Sequence, residues 1–333
     1  MRLSDFDFEL PPEQIAQTPT ADRAGARMLV VHRGNGRWED RMFRDLPGYL
    51  QPGDCLVLND SRVIPARLYG HRAGHTGHVE VLLVHPQSED SLTWTALVRP
   101  GRKLPVGERI VFAPEFEAEI VDRAEHGERL LRFTARDFWT QLDECGHIPL
   151  PPYIHRDDSV EDRERYQTVY ARERGSVAAP TAGLHFTPEI LDACRDAGAT
   201  VARVTLHVGL GTFQPIEAED LADVKLHAER FQVTNDAGAA IRAASRIIPV
   251  GTTALRTLES WALGKRGETD LFITPGFAFQ MTGALLTNFH LPASSLFVLV
   301  CALGGTDLMK SAYRHAVSAG YRFYSYGDCM LIL

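Results

Sequence analysis

From about residue 62 to 146 the chain reads as short runs of alternating apolar and polar positions broken by turn residues: HVEVLLVHP, WTALVRPGRK, ERIVFAP, FEAEIVDRAE and ERLLRFTA. Side chains of an extended strand alternate between two faces, so this period of two predicts half-buried strands. The Pro-Gly, Val-Gly and His-Gly pairs between them predict turns. With no helical period before Asp137, the segment reads as a small all-β unit that closes its own edges as a barrel. The strand-like CLVLND precedes it, and the proline-rich, extended HIPLPPYI follows.

The rest of the chain alternates between the two periods. Thr187, Pro188 and Gly198 frame a helix through ILDACRDAGA as N-cap, first-turn proline and terminating glycine. Further helices are expected over 236–246, 253–263 and 307–319, the last with Met309, Ala312, Tyr313, Ala316 and Val317 at helical spacing. Between them VARVTLHV, RFQVT, RIIPV, TDLFIT and SLFVLVCAL read as strands. Such alternation implies α/β packing. The expected architecture is therefore two-domain: an α/β, barrel-like domain from 1–61 and 148–333, with a β-barrel domain of 62–147 inserted into it.

A length of 333 residues agrees with two domains, since single cores seldom grow to that size. The apolar run at Leu296 is far shorter than the roughly 20 residues of a membrane-spanning helix, and the first residues are charged, which predicts a cytoplasmic protein with no membrane partner. The five cysteines are widely spaced, with no CxxC pair and no histidines at zinc-finger spacing, so no metal is expected. A net charge of -8 argues against indiscriminate coating of nucleic acid. Locally the sign reverses: between Ser61 and Ile110, seven basic residues (Arg62, Arg67, Arg72, Arg99, Arg102, Lys103, Arg109) face four acidic ones. No segment reads as a self-complementary apolar stripe, and a monomer is expected.

Candidate chemistry concentrates in five polar, glycine-containing runs. In YQTVYARERGSVAAPTAGLHFT, small residues including Gly175, Ser176 and Gly183 allow a ligand close to the backbone, while Thr181 and His185 supply hydrogen-bonding groups. In TLHVGLGTFQP, His207, Gly209, Gly211 and Thr212 resemble a phosphate loop only superficially, because Phe213-Gln214-Pro215 follows in place of a helix; the glycines suit a flat base or ribose lying on the backbone. In VGTTALRTLES, a strand turns through Gly251 into a helix, so the N–H groups and hydroxyls of Thr252 and Thr253 suit a carboxylate or phosphate. Arg256 and Glu259 share a face of that helix, where a surface ion pair is the plainer reading. The fourth run, TNFHLPASSL, carries Asn288 and His290; the fifth, YRFYSYGDCM, carries Tyr326 and Asp328. Asn59 and Asp60, followed by Arg62, stand where a strand meets the inserted domain, a place where ligands collect. Phe186, Phe213, Phe289 and Tyr326 are candidates for stacking on a base.

Taken in order, these five runs resemble the S-adenosylmethionine:tRNA ribosyltransferase-isomerase family of queuosine biosynthesis over nearly the whole chain. The resemblance implies an α/β domain with an inserted β domain, and an enzyme that transfers the ribosyl group of S-adenosylmethionine to the 7-aminomethyl-7-deazaguanine (preQ1) at a tRNA wobble position. Isomerisation then gives epoxyqueuosine, with release of adenine and methionine. The partners it implies are S-adenosylmethionine as co-substrate and a tRNA anticodon stem-loop, with no metal. On this resemblance His185 or His207 removes the proton made acidic by the sulfonium, Asp60 or Glu259 orients or relays protons, and Arg256 with Thr252 holds the methionine carboxylate. Asp328 joins the catalytic candidates. The chain departs from the family pattern at Val224, where a histidine is usual in the run ending His227-Ala228-Glu229, and at Ala254, where a serine is usual. A methyltransferase using the same donor and a non-catalytic RNA-binding protein are the alternatives. Against the first, there is no glycine-rich strand-turn-helix near the N-terminus; against the second, the α/β part carries more Thr, His and Glu motifs than binding alone requires.

Overall fold

The computed structural model describes residues 1–88, 90–124, 127–209, 216 and 218–333. Gly211, Thr212 and Phe213 lie outside them. The chain opens with an antiparallel hairpin, β1 (Arg27–His32) and β2 (Arg37–Met42), then enters the wholly buried β3 (Asp54–Asn59) and the short β4 (Ser61–Val63). Next come β5 (Arg67–Arg72), β6 (His78–Pro86), β7 (Thr93–Arg99), β8 (Arg109–Ala113), β9 (Phe116–Arg123) and β10 (Arg129–Ala135). These six close into an antiparallel barrel in the order β10-β7-β6-β5-β8-β9. Alternation fills it, as Val79, Val81 and Leu83 of β6 meet Phe116, Ala118 and Ile120 of β9. Helix α1 (Phe138–Cys145), capped by Asp137, packs Phe138 and Leu142 onto the same core.

After α2 (Asp162–Arg165), β11 (Glu173–Ser176) pairs in parallel with β4, tying the strap back to the point where the chain left the first sheet. The remaining elements are α3 (Pro188–Asp196), β12 (Thr200–Leu206), β13 (Glu229–Gln232), α4 (Asn235–Ala243), β14 (Arg246–Val250), α5 (Thr252–Ala262), β15 (Gly267–Thr269), β16 (Leu285–Asn288), α6 (Ser295–Gly304), α7 (Thr306–Ser318) and β17 (Cys329–Ile332). Both ends of the chain build one nine-stranded mixed sheet, ordered β15-β13-β12-β3-β14-β16-β17-β1-β2. Where the sequence suggests a barrel-like α/β half, the sheet of the described residues is open, with the antiparallel strands β15 and β2 at its two ends.

Its central strands are apolar on both faces, as expected of parallel strands covered by helices. Leu56 and Leu58 of β3 pack with Leu191 and Cys194 of α3, while Cys55 and Val57 pack with Ile241 of α4 and Leu258 of α5. The run SLFVLVCAL is a helix, α6, and not a strand. Its apolar residues follow one another without a period that separates the two states, and local capping decides: the Ser294 side chain accepts from the Phe297 N–H, and Gly305 at φ +85° ends the helix. Similarly, only Gly267–Thr269 is extended near TDLFIT. Strands β12, β3, β14 and β16 run parallel, so their C-terminal ends, Leu206, Asn59, Val250 and Asn288, gather on one rim of the sheet.

Candidate active site

A cleft opens above that rim. It is lined by the turn from β14 into α5, Gly251, Thr252 and Thr253, and by Thr287, Asn288, Phe289 and His290 after β16. Tyr153, Tyr166, Tyr324 and Ser325 also line it, with 178–182 and Val208. All five polar runs therefore converge on one space.

Gly251 has φ +89° and ψ 155°, a conformation open essentially to glycine alone, and it aims the start of α5 at the cleft. No side chain caps this helix. The N–H groups of its first turn and the partial positive charge they carry suit an anionic group. Thr253 is set from behind by Asn59, whose Nδ2 donates to the Thr253 hydroxyl (3.2 Å) and to the Leu206 carbonyl (3.0 Å). The Oδ1 of Asn59 accepts from the N–H groups of Ser61 and Leu206. Asn59 is thus a buried link between three elements and does not line the cleft.

Three histidines lie in or near the cleft. His290 lines it; its Nε2 shares a hydrogen bond with the Thr287 hydroxyl (2.9 Å), and burial pushes its pKa down to about 3. His185 sits one side chain behind, in a small side pocket with Arg23 and Tyr326. Its Nε2 lies 3.0 Å from Asn288 Oδ1, and burial lowers its pKa to about 4. His207 follows β12 beside the cleft-lining Val208. It is half-buried, burial lowers its pKa, and its Nδ1 has no hydrogen-bond partner. A Cβ on Gly175, at φ +138°, would come within 3.1 Å of that ring, so Gly175 lets the imidazole lie against the backbone.

Several expected residues belong to the scaffold around the cleft. Glu259 is fully buried and accepts from the N–H groups of Gln280, Met281 and Thr282 and from the Thr282 hydroxyl, so it ties down a loop. Asp328 accepts from the N–H groups of Arg27 and Arg322, and burial raises its pKa. Arg256 is paired with Glu229 inside the protein and donates from Nε to the Leu271 carbonyl (3.0 Å), where the sequence suggested a surface pair with Glu259 or a carboxylate clamp. Glu229 also accepts from the Gly209 N–H (3.1 Å). Gly183 is needed for packing, because a Cβ there would fall 2.1 Å from the Tyr170 hydroxyl. Tyr326 donates to Asp162 (2.7 Å). Asp60 accepts from the Thr205 hydroxyl (2.7 Å) and faces Arg172 at 3.4 Å; burial raises its pKa. Phe186 is core beside Phe43.

Among the expected residues, Thr181, Thr252, Thr253, Asn288, His290 and Phe289 meet in the cleft. The tyrosine wall is the feature that sequence reasoning misses. Tyr153 and Tyr324 meet edge to face with centroids 3.9 Å apart, and Tyr153 shares a hydrogen bond with Ser325. The available signal was the tyrosine content of HIPLPPYI, YQTVY and YRFYSYG. In the basic region Arg67, Arg72 and Arg109 are paired with Glu80, Glu108 and Glu117. Arg62, Arg99, Arg102 and Lys103 are exposed. Among the described residues no cluster of three or more His, Cys, Asp or Glu side chains could hold a metal ion, and no single helix is long and apolar enough to cross a membrane.

Comparison with known proteins places this geometry in context. The profile of the family described as queuosine biosynthesis protein matches residues 3–332. An S-adenosylmethionine:tRNA ribosyltransferase-isomerase of Solibacter usitatus is 61% identical, and one of Symbiobacterium thermophilum 51% identical, each over 100% of both chains. The crystal structure of an S-adenosylmethionine tRNA ribosyltransferase from Thermotoga maritima is 40% identical and superposes with a TM-score of 0.57, covering 99% of this chain and 100% of that one.

Proposed function

The chain belongs to the queuosine biosynthesis protein family, and from that premise we propose that it is a tRNA-modifying transferase and isomerase with S-adenosylmethionine as its ribosyl donor. It moves the ribosyl group to preQ1 at the wobble position of a tRNA and rearranges it to epoxyqueuosine, releasing adenine and methionine. The names of its relatives favour this reading over a methyltransferase or a non-catalytic RNA-binding protein. The observation that carries it is the cleft itself, whose lining combines an uncapped helix N-terminus with a group of aromatic side chains. An amino-acid carboxylate suits the first, and a flat base suits the second.

Within that cleft we assign the methionine carboxylate to the N–H groups at the start of α5 with the Thr252 hydroxyl, and not to Arg256, whose charge is already met by Glu229. His207 is the better placed of the two expected bases. Burial keeps it neutral near pH 7 and its Nδ1 is unpaired, whereas the Nε2 of His185 is tied to Asn288. His185 then positions Asn288. No step in this scheme calls on a metal, and a cytoplasmic monomer acting on the anticodon stem-loop is the form in which we expect it to work.

The test is incubation with S-adenosylmethionine and an anticodon stem-loop carrying preQ1. RNA-dependent release of adenine, with a matching mass gain on the wobble nucleoside, is expected. Release of adenosylhomocysteine in its place would make the chain a methyltransferase and overturn the reading.

A further inference from the structure

Tyr166 is wholly buried, yet its hydroxyl makes no well-formed hydrogen bond, although the Ser325 side chain and the Ala179 backbone lie near it. Buried hydroxyls are almost always paired, because leaving one unpaired forfeits its bond to water without replacement. Two other hydroxyls of this wall do not share the deficit, since Ser325 and Tyr153 are paired with each other. Among the described residues Tyr166 is the one side chain lining the cleft that is buried and unsatisfied. The position asks for a better-aligned partner than Ser325 and the Ala179 backbone supply, and a bound molecule would provide one.

The chemistry of that partner follows from what surrounds it. Tyr166 shares the cleft lining with the small side chains of Ala178 and Ala179, with Pro180 and with Tyr324 and Tyr153, a lining suited to a flat ring. Burial holds the Tyr166 hydroxyl well above its ordinary pKa, so at neutral pH it keeps its proton and acts as a donor. His290, the histidine of the cleft, is kept neutral by burial and shares its Nε2 with Thr287. The tyrosine is therefore a donor available, beside these aromatic and small side chains, to an acceptor atom on the ring.

We propose that Tyr166 is a catalytic residue whose hydroxyl donates a hydrogen bond to a ring nitrogen of the departing purine. The proposal rests on the reading of the chain as a ribosyl transferase. When the bond between the ribosyl carbon and the purine nitrogen breaks, its electron pair stays with the purine and a lone pair of the ribose ring oxygen forms a π bond to that carbon. The hydrogen bond strengthens as that charge develops, Tyr166 retains its proton, and the expelled base takes its own proton from water.

Tyr166→Phe in the full chain separates this role from a structural one. Removal of an unpaired hydroxyl should leave the melting temperature of the unliganded protein equal or higher. The same change should lower kcat for RNA-dependent adenine release by about 30- to 100-fold, with KM for S-adenosylmethionine within about threefold of wild type. Donor analogues in which ring nitrogen N3 or N7 is replaced by C–H locate the contact: one of them should slow the wild type and slow Tyr166→Phe no further. A variant that turns over within threefold of wild type, that melts several degrees lower, or that loses activity additively with both analogues overturns the proposal. Absence of adenine release by the wild type itself overturns the reading beneath it, an outcome visible before any variant is made.

Discussion

Asn288 and His185 fix each other's hydrogen-bonding state. The Nδ2 of Asn288 donates to the carbonyls of Tyr324 (2.9 Å) and Ser325 (3.3 Å), so its Oδ1 must accept, and the His185 Nε2 at 3.0 Å must carry the proton. The amide that faces the cleft is thereby held in one orientation by groups behind it. Asn288→Asp places a carboxylate against the same Nε2 and should draw the His185 pKa up from about 4 towards its ordinary value, as followed by NMR titration of the ring. An unmoved pKa would show that the two side chains are not in contact in solution.

The same burial makes the fold acid-sensitive. His185 and His290 are depressed to about 4 and about 3, against about 6.5 in an unfolded chain. Below pH 6.5 the unfolded state binds protons that the folded state refuses, so stability present above pH 6.5 is lost as pH falls towards the folded values. Each histidine contributes a slope of about 1.4 kcal/mol per pH unit in that window. Denaturant melts at pH 7 and pH 5 should show the loss, to which the depressed His207 and His85 also contribute, and His185→Gln should reduce the slope by about 1.4 kcal/mol per pH unit. An equal slope in the variant would remove His185 as a cause.

Arg256 and Glu229 form an ion pair inside the protein, and Glu229 also holds the Gly209 N–H. Removing one partner leaves the other charge buried and uncompensated. Arg256→Met alone should cost about 3–5 kcal/mol, and the double change with Glu229→Met markedly less than the sum of the two single losses. A double-mutant cycle by chemical denaturation measures this directly. Additive losses would mean that the pair is not coupled.

For Glu259 the structure and the family-based expectation give opposite forecasts. A carboxylate that accepts four hydrogen bonds from Gln280, Met281 and Thr282 is a scaffold group. Glu259→Gln turns one acceptor into a donor facing those N–H groups and should cost about 2–3 kcal/mol, while adenine release per folded molecule, assayed well below the melting range, stays within a few-fold of wild type. A variant as stable as wild type but inactive would restore Glu259 to proton transfer.

These contrasts show what a sequence carries and what it does not. Helix α3 is legible because Thr187, Pro188 and Gly198 act within a few residues of where they stand, whereas α6 is not, because its apolar run has no period and only the Ser294 cap decides. Strand β17 pairs with β1 across some 300 residues, and nothing local announces it. The same division runs through the site. Thr252, Thr253, Asn288 and His290 are recognisable as polar groups on glycine-rich or strand-end turns, and they do meet. Glu259, Arg256 and Asp328 carry the same kinds of functional group but are turned inward, and the direction of a side chain depends on tertiary packing. Tyr166 shows a different gap: it opens the first of the candidate runs but has no role assigned from sequence, because only tertiary packing reveals that its buried hydroxyl is left without a well-formed hydrogen bond.

If the start of α5 receives the methionine carboxylate, Gly251 is the residue on which that geometry depends. At φ +89° and ψ 155° it occupies a region that a Cβ disfavours, although a methyl there would meet nothing closer than 3.7 Å. The penalty of Gly251→Ala is therefore conformational and not steric, of about 1–3 kcal/mol, and part of it is relieved by rotating the Thr252 and Thr253 N–H groups away from the cleft. KM for S-adenosylmethionine should rise about tenfold or more. The decarboxylated donor, which has no anion to present, should bind both proteins alike and should already bind the wild type more weakly than S-adenosylmethionine. Calorimetric titration of the two donors into the two proteins completes the cycle. If Gly251→Ala weakens both donors equally, the helix start holds some other part of the ligand, and the cleft must be read in the opposite direction.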